Sequence, residues 1–289
     1  MTKEIVKELS KFIKFTNLNK SSHWKKYLTD QSNYQNPFEP LGFGTFKKKF
    51  FFSFFHKILS LIIFGNKIFS SKSYKNYFKV FNLANRQIDV DVMRHICTFN
   101  YFFKKKLFPS KLCIIGDGKA NFVIGALVNY PQSQIISVNL TETLINDYLV
   151  LKKMNLISDK DIQIIQSSGD EIIEEKKLIL VPSHLKNFLK NKSIDLFANM
   201  ASFQEMNMSE ISDYLKIIKT NNCVFYCCNR EYKKLIGGEE LVFDKYPFGI
   251  GKKIVYENCE WHQKYYSLSF PFFRKYDGNH KHCLIDYKI

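Results

Sequence analysis

The chain has 289 residues, 45% of them hydrophobic and 24% charged, which is enough to bury a core and excludes a disordered or fibrous polypeptide. Seven cysteines make no disulfide framework and the Met-Thr-Lys-Glu start is no signal peptide, so the expectation is a cytoplasmic protein with reduced thiols. The formal charge of +16 is lopsided: residues 1–110 hold 20 Lys/Arg against 6 Asp/Glu, whereas residues 111–289 hold 23 against 21.

The basic half also carries 18 of the 28 Phe. Joint enrichment in Lys, Phe, Asn and Ile is what an AT-rich coding sequence produces, so composition alone does not make the basicity functional. Ile5, Leu9, Phe12 and Ile13 stand at helical spacing, with Lys3, Lys7, Lys11 and Lys14 mostly off that face. Tyr34–Phe46, with two Pro and two Gly, is turn chemistry. The apolar run Phe50–Phe64 is 15 residues long, contains His56 and Lys57, and is too short for a spanning helix, which needs about 20. It predicts a buried helix; the alternative is an interfacial helix flanked by Lys47, Lys48, Lys49 and Lys67 that contacts an anionic membrane. Tyr74–Phe103 is again helical in pattern, with Ile88, Val92, Ile96 and Phe99 on one face, and Lys104-Lys105-Lys106 with Pro109 mark a boundary. Two regions follow: a mainly helical segment 1–110 that caps a second unit, 111–289.

After Lys111 short apolar runs alternate with helix-period segments. Strands are expected at Leu112–Ile115, Ile135–Val138, Leu178–Val181, Ile194–Ala198 and Val224–Cys227. Helices are expected through Val123–Tyr130, after an N-cap at Thr141, and after a capping box at Asn207 and Glu210. This alternation predicts an α/β fold with a doubly wound, mostly parallel sheet. Tyr265–Phe273 and Cys283–Ile289 flank Asp277-Gly278-Asn279, the pattern of an antiparallel terminal hairpin closing one edge.

The first strand turns at Gly116-Asp117-Gly118. Glycine permits close approach of a ligand to the main chain, and the helix that follows is expected to offer bare N–H groups. Asn121 occupies the third glycine position of the dinucleotide fingerprint, which argues against NAD.

Leu112–Leu144 resembles the front of a class I S-adenosylmethionine-dependent methyltransferase. Leu196–Met206 (LFANMASFQEM) with Phe225–Arg230 (FYCCNR) resembles more narrowly the sugar O-methyltransferases of bacterial glycan clusters. The resemblance covers 111–289, with weaker likeness at Ser22-His23-Trp24 and over Arg86–Phe103. It implies S-adenosylmethionine as cofactor, held by Gly116, Asp117, Gly118, Asn139, Leu140, Ser183 and Asn199. Two departures stand out: Ile115 where the family has an acid before the first Gly, and Asn139 where it has Asp facing the ribose. An amide accepts through one oxygen where a carboxylate offers two, a loss of about 1–2 kcal/mol, about tenfold in affinity. Asp117 and Glu142 are near enough in sequence to substitute.

Methylating a sugar hydroxyl needs positioning, water exclusion and a general base. Glu205 is the first candidate for that base and His184 the second. Acceptor contacts are expected at Ser202, Asn229, Arg230 and His262, with Trp261 as a stacking surface. Cys259-Glu-Trp-His262 and His280-Lys-His282-Cys283 do not have zinc-finger spacing, and no metal is expected. The partner expected is a sugar or glycan acceptor, nucleotide- or lipid-linked or free, made at the inner face of the plasma membrane. One competing reading is an RNA methyltransferase with a basic appendage. Asn199-Met-Ala-Ser is not the Asn-Pro-Pro-Tyr loop of base methylation, so nucleic acid is disfavoured. The other is a scaffold whose cofactor site has decayed.

Overall fold

The computed structural model describes residues 2–16, 20–31, 50–268, 270–275 and 278–288. The turn-rich stretch 34–46, Lys47–Lys49 and Asp277 lie outside the described residues. Up to Lys104 the described chain is helical: α1 (Thr2–Ser10), α2 (Ile13–Thr16), α3 (Ser22–Gln31), α4 (Phe50–Phe64), α5 (Lys67–Ser70), α6 (Lys72–Leu83) and α7 (Val90–Lys104). The helical pattern over Tyr74–Phe103 is broken between α6 and α7, where Asn85 adopts a φ of 50°. Asp89 then caps α7, accepting from the N–H groups of Asp91 and Val92 at 3.1 Å.

Beyond it come β1 (Lys111–Ile115), α8 (Asn121–Asn129), β2 (Gln134–Asn139), α9 (Thr141–Lys153), β3 (Ile162–Ile164), β4 (Leu178–Pro182), β5 (Leu196–Met200), α10 (Met208–Lys219), β6 (Val224–Arg230), β7 (Tyr232–Lys234), β8 (Glu240–Val242), β9 (Lys252–Asn258), β10 (Lys264–Tyr266), β11 (Phe273–Lys275) and β12 (His280–Asp286). The main sheet has eight strands in the order β3-β4-β2-β1-β5-β6-β12-β9. Strands β3 through β6 in that order pair in parallel; β12 runs antiparallel between β6 and β9. The fold is thus a doubly wound, mostly parallel α/β sheet. Its expected terminal hairpin is corrected: β12 pairs with β6 and β9, while 264–266 and 273–275 form a separate two-stranded ribbon.

Continuous apolar runs form the inner strands because both sheet faces are covered. Along β1, Leu112 and Ile114 join the cluster containing Phe99, Phe102 and Phe122, whereas Cys113 and Ile115 join the one containing Phe203, Ile211 and Phe225. Leu9, Phe12, Tyr77 and Phe81 belong to the first cluster, so the hydrophobic core runs without a break across the composition boundary at Lys111. Gly125 makes part of this possible. A Cβ there would stand 1.9 Å from Tyr77 Oη and 2.4 Å from Phe99 Cε2, so only glycine lets α8 approach α6 and α7 this closely.

The chain leaves β1 toward β2 and β4, then returns on β1's other side with β5 and β6. The order reverses between β1 and β5, the place where open α/β sheets form a crevice beyond the strands' carboxyl ends.

Candidate functional site

A cavity of about 310 Å³ opens at those carboxyl ends, a size at the small end of ligand pockets. Gly116, Asp117 and Gly118 after β1, Asn139 at the end of β2 and Leu140 after it, Ser183 after β4, Ser202 and Glu205 after β5, and Arg230 of β6 all line it, as does His262. Gly116 has a φ of +74°, and a Cβ on it would lie 1.9 Å from Ser202 Oγ. Glycine is therefore required where the β1 loop meets the β5 loop.

Asp117 does not reach toward a ligand. Its Oδ2 accepts from the N–H groups of both Phe122 and Val123 at 2.8 Å, capping α8. The expected bare helix N-terminus is thus already satisfied, which leaves no ready phosphate cradle and suits an uncharged nucleoside. Burial raises the Asp117 carboxyl above its ordinary value, against the lowering effect of these N–H groups and of Arg86. Arg86 itself is buried, donates to the Lys119 carbonyl at 3.2 Å and to Asn121 Oδ1, and lies over the Phe81 ring. It staples the loop to the α6–α7 connection.

Asn139 lines the cavity but is heavily engaged. Its Nδ2 donates to the Asp117 carbonyl at 2.8 Å and faces Asp147 Oδ2 at 3.5 Å, while its Oδ1 accepts from Leu140 N–H. One acceptor lone pair is left for a ligand. Asp147, buried on α9, is held well above the usual carboxylate range, chiefly by burial and next by the nearby Asp117 charge. Neither proposed substitute acid is available: Asp117 caps α8, and Glu142 pairs with Lys20 Nζ at 2.7 Å. Two helix starts also differ in detail. Leu140, not Thr141, is the N-cap of α9, and at α10 the Asn207 side chain makes no cap bond and the Glu210 carboxylate pairs with Lys186.

The two motif blocks interlock. Asn199 donates to the Ile115 carbonyl at 2.8 Å and accepts from Phe203 N–H; Asn229 donates to Asn199 Oδ1 at 2.8 Å and accepts from Gln204 N–H at 3.0 Å. Gln204 Oε1 in turn accepts from Arg230 N–H at 2.8 Å. Asn199 and Asn229 are fully buried and outside the cavity lining. The expectation that they touch cofactor and acceptor is corrected: they hold the turn Phe203–Glu205 that presents Glu205.

His184 is also removed from the candidate bases. Its ring stacks on Phe15 and packs against Phe12, both at 5.3 Å, and it does not line the cavity. Trp261 is part of the core, donating to Thr98 Oγ1 and packed on Tyr101 and His282.

Residues before α4 complete the site. Lys20, Ser21, His23 and Trp24 line the cavity, and Ser21 Oγ donates to the Glu205 carbonyl. Glu205 Oε1 lies 3.7 Å from His23 Nε2 and 3.4 Å from Lys233 Nζ. Burial lowers the His23 pKa, Glu205 pulls it up, and Lys233 and Arg230 push it down; the net depression keeps the imidazole neutral at pH 7. Helix α7 adds Asp91, Arg94 and His95 to the lining, with Arg94 Nη1 3.0 Å from Asp91 Oδ1. Sequence reasoning assigned no role to His23, Trp24, Arg94 or Lys233. The signals were the weak likenesses at Ser22-His23-Trp24 and over Arg86–Phe103, which includes Arg94; Lys233 carried none.

No protein-family model matches this chain, and no curated protein matches its sequence. Solved structures with similar architecture include a SAM-dependent methyltransferase from Aquifex aeolicus (9% identity, 64% of this chain and 87% of that one, TM-score 0.38). Another is an S-adenosylmethionine-dependent methyltransferase from Clostridium acetobutylicum (11% identity, 73% and 95%, TM-score 0.44). A third is the mitomycin 7-O-methyltransferase MmcR (7% identity, 76% and 69%, TM-score 0.42).

Proposed function

We propose that the protein is an S-adenosylmethionine-dependent O-methyltransferase acting on a sugar hydroxyl. The observation that carries this reading is one cavity joining a glycine turn, an asparagine-ended second strand and a His23–Glu205 pair at 3.7 Å. The residues fit the cofactor: Asn139 offers an acceptor to a ribose hydroxyl, and the adjoining Arg94 and Asp91 match an α-amino acid's carboxylate and ammonium. S-adenosylmethionine supplies an electrophilic methyl group when bound. His23 takes the acceptor's hydroxyl proton at the ring nitrogen turned away from Glu205, while Glu205, beside Nε2, orients the ring and stabilises the imidazolium that forms. Trp24 gives a ring face for stacking a sugar, and Arg230, Lys233 and Gln204 supply donors around it. The packed N-terminal residues exclude water.

His23→Ala is expected to lower kcat by about 10²–10⁴-fold while S-adenosylhomocysteine affinity, read by calorimetry, changes less than about threefold. Because a neutral His is the active form and burial lowers its pKa, activity should fall only as pH drops below the ordinary histidine range. Glu205→Gln removes the one carboxylate raising that pKa, so the acid limb should move to lower pH as kcat falls. An unmoved acid limb argues against the pair.

For its setting, we infer peripheral contact with an anionic bilayer. No helix among the described residues is long and apolar enough to cross a membrane. Helix α4 is held by His56 and Ser60, which bond Tyr266 Oη at 3.0 and 2.9 Å, while Phe51 (76% exposed), Phe54 (61%), Phe55 and Ile62 face outward. The excess cationic charge of residues 1–110 complements anionic headgroups. Phe51→Ser with Phe54→Ser should reduce cosedimentation with phosphatidylglycerol vesicles at least about tenfold; equal binding by the variant contradicts this.

A further inference from the structure

We propose that Cys228, Cys259 and His262 form a binding site for a zinc-class divalent cation. Cys228 comes from β6, and Cys259 and His262 bracket the single turn that follows β9. All three are buried, and their donor atoms lie within 4.8 Å of one another. His262 Nδ1 stands 3.5 Å from Cys228 Sγ and 3.3 Å from Cys259 Sγ. Tetrahedral zinc, with Zn–S of about 2.3 Å and Zn–N of about 2.0–2.1 Å, requires S···N edges of about 3.5 Å. Both S···N edges therefore already match that polyhedron.

Hydrogen bonding joins these groups only in pairs, Cys228 with Cys259 and a thiol with Nδ1. An imidazole Nδ1 carries one proton or one lone pair, so it serves one sulfur well and not two. A cation at the centre serves all three donors. Two thiolates and a neutral imidazole around a dication are net neutral, the charge balance a buried site requires. Loading forms two Zn–S bonds and one Zn–N bond, and the two thiol protons leave to solvent. The turn is pinned for this: Cys259 N–H donates to the His280 carbonyl at 2.8 Å, and His262 N–H to the Cys259 carbonyl at 3.1 Å.

Three protein donors is the count of sites that keep a position for an exogenous ligand. His262 also belongs to the wall of the cavity, so the cation would sit at the border of the acceptor site. The proposal stands apart from the methyltransferase reading, since the cluster is built without the glycine turn or Asn139.

The test is titration of the reduced, full-length protein with Co²⁺, read by the thiolate-to-cobalt charge-transfer absorption. The expected result is saturation at one equivalent per chain and reversal by one equivalent of Zn²⁺. Cys228→Ser and Cys259→Ser should each weaken binding at least about tenfold, while Cys283→Ser, at a buried thiol outside the cluster, leaves it unchanged. Because a core variant can fail to fold, the unmodified chain provides a second readout. Zn²⁺ should slow alkylation of Cys228 and Cys259, mapped by mass spectrometry, and of none of the other five cysteines. No charge-transfer band in the folded protein, or uniform alkylation with and without Zn²⁺, overturns the proposal.

Discussion

Gly116→Ala is expected to destabilise the protein by about 2–4 kcal/mol and to abolish measurable cofactor-analogue binding. Two costs add. An L side chain at a φ of +74° carries about 1–3 kcal/mol of backbone strain, and the added Cβ would lie 1.9 Å from Ser202 Oγ and 2.5 Å from Ser202 Cβ. One of the two loops must move, and both line the cavity. Denaturant midpoint and calorimetry with S-adenosylhomocysteine check the result. The steric share is separable: Ser202→Gly in the same chain should restore part of the stability, because it removes both atoms that the Cβ meets. Full stability in Gly116→Ala alone would mean the two loops are not packed as described.

Asn139→Asp is the second large effect: a loss of fold stability, read by denaturant midpoint, where the sequence suggests only a gain in cofactor binding. In the sequence a carboxylate at that position restores two ribose acceptors and should tighten binding. In the fold, Asn139 Nδ2 donates to the Asp117 carbonyl and faces Asp147 Oδ2. A carboxylate there turns a donor into an acceptor facing acceptors, and adds a buried anion to Asp117 and Asp147. Arg86 is a cation shared by Asp89, Asp117 and Asp147 already. The expected cost is about 2–4 kcal/mol at pH 8.

The pH dependence follows from the same burial. A carboxyl whose folded pKa lies above its unfolded value binds more protons in the fold. Its destabilising effect is absent below the unfolded pKa, near 4, and grows as pH rises through the window up to the folded pKa. The variant's deficit should therefore shrink steadily as pH is lowered from 8 toward 4. Asp147→Asn in the variant should recover much of the loss at pH 8, since it removes one carboxylate and supplies a donor. A deficit independent of pH would assign the cost to geometry and not to charge.

The parts of the fold that were legible in the sequence are those specified locally. Leu112–Ile115 and Val224–Cys227 are short apolar runs with turn signals at their ends, and runs of that kind form strands because both their faces are covered. Strand β9 escaped because it is an edge: Lys252, Lys253 and Glu257 give it a charged, half-exposed pattern with no alternation to detect. The terminal pairing was misjudged for a related reason. A turn at Asp277-Gly278-Asn279 suggests pairing of its two flanks, but β12 finds its partners in strands that begin 28 and 56 positions before it.

The site divides the same way. The glycine turn, Leu140, Ser183 and Glu205 follow directly from strand ends, and their place on the cavity wall was legible. Asn199 and Asn229 stood in the right blocks, but whether a buried amide faces a ligand or a neighbouring loop depends on contacts 30 residues apart. His23 and Trp24 were marked only by the weak likeness at Ser22-His23-Trp24, since Ser21, their neighbour, meets Glu205 across 184 positions of sequence.

The central claim is that this cavity admits a nucleoside-bearing sulfonium cofactor. Isothermal calorimetry of S-adenosylhomocysteine with the full chain tests it most directly. The account predicts one site per chain, lost in Gly116→Ala and almost unaffected by His23→Ala. Absence of heat at millimolar ligand, from protein shown to be folded, would contradict it and leave the fold as a scaffold.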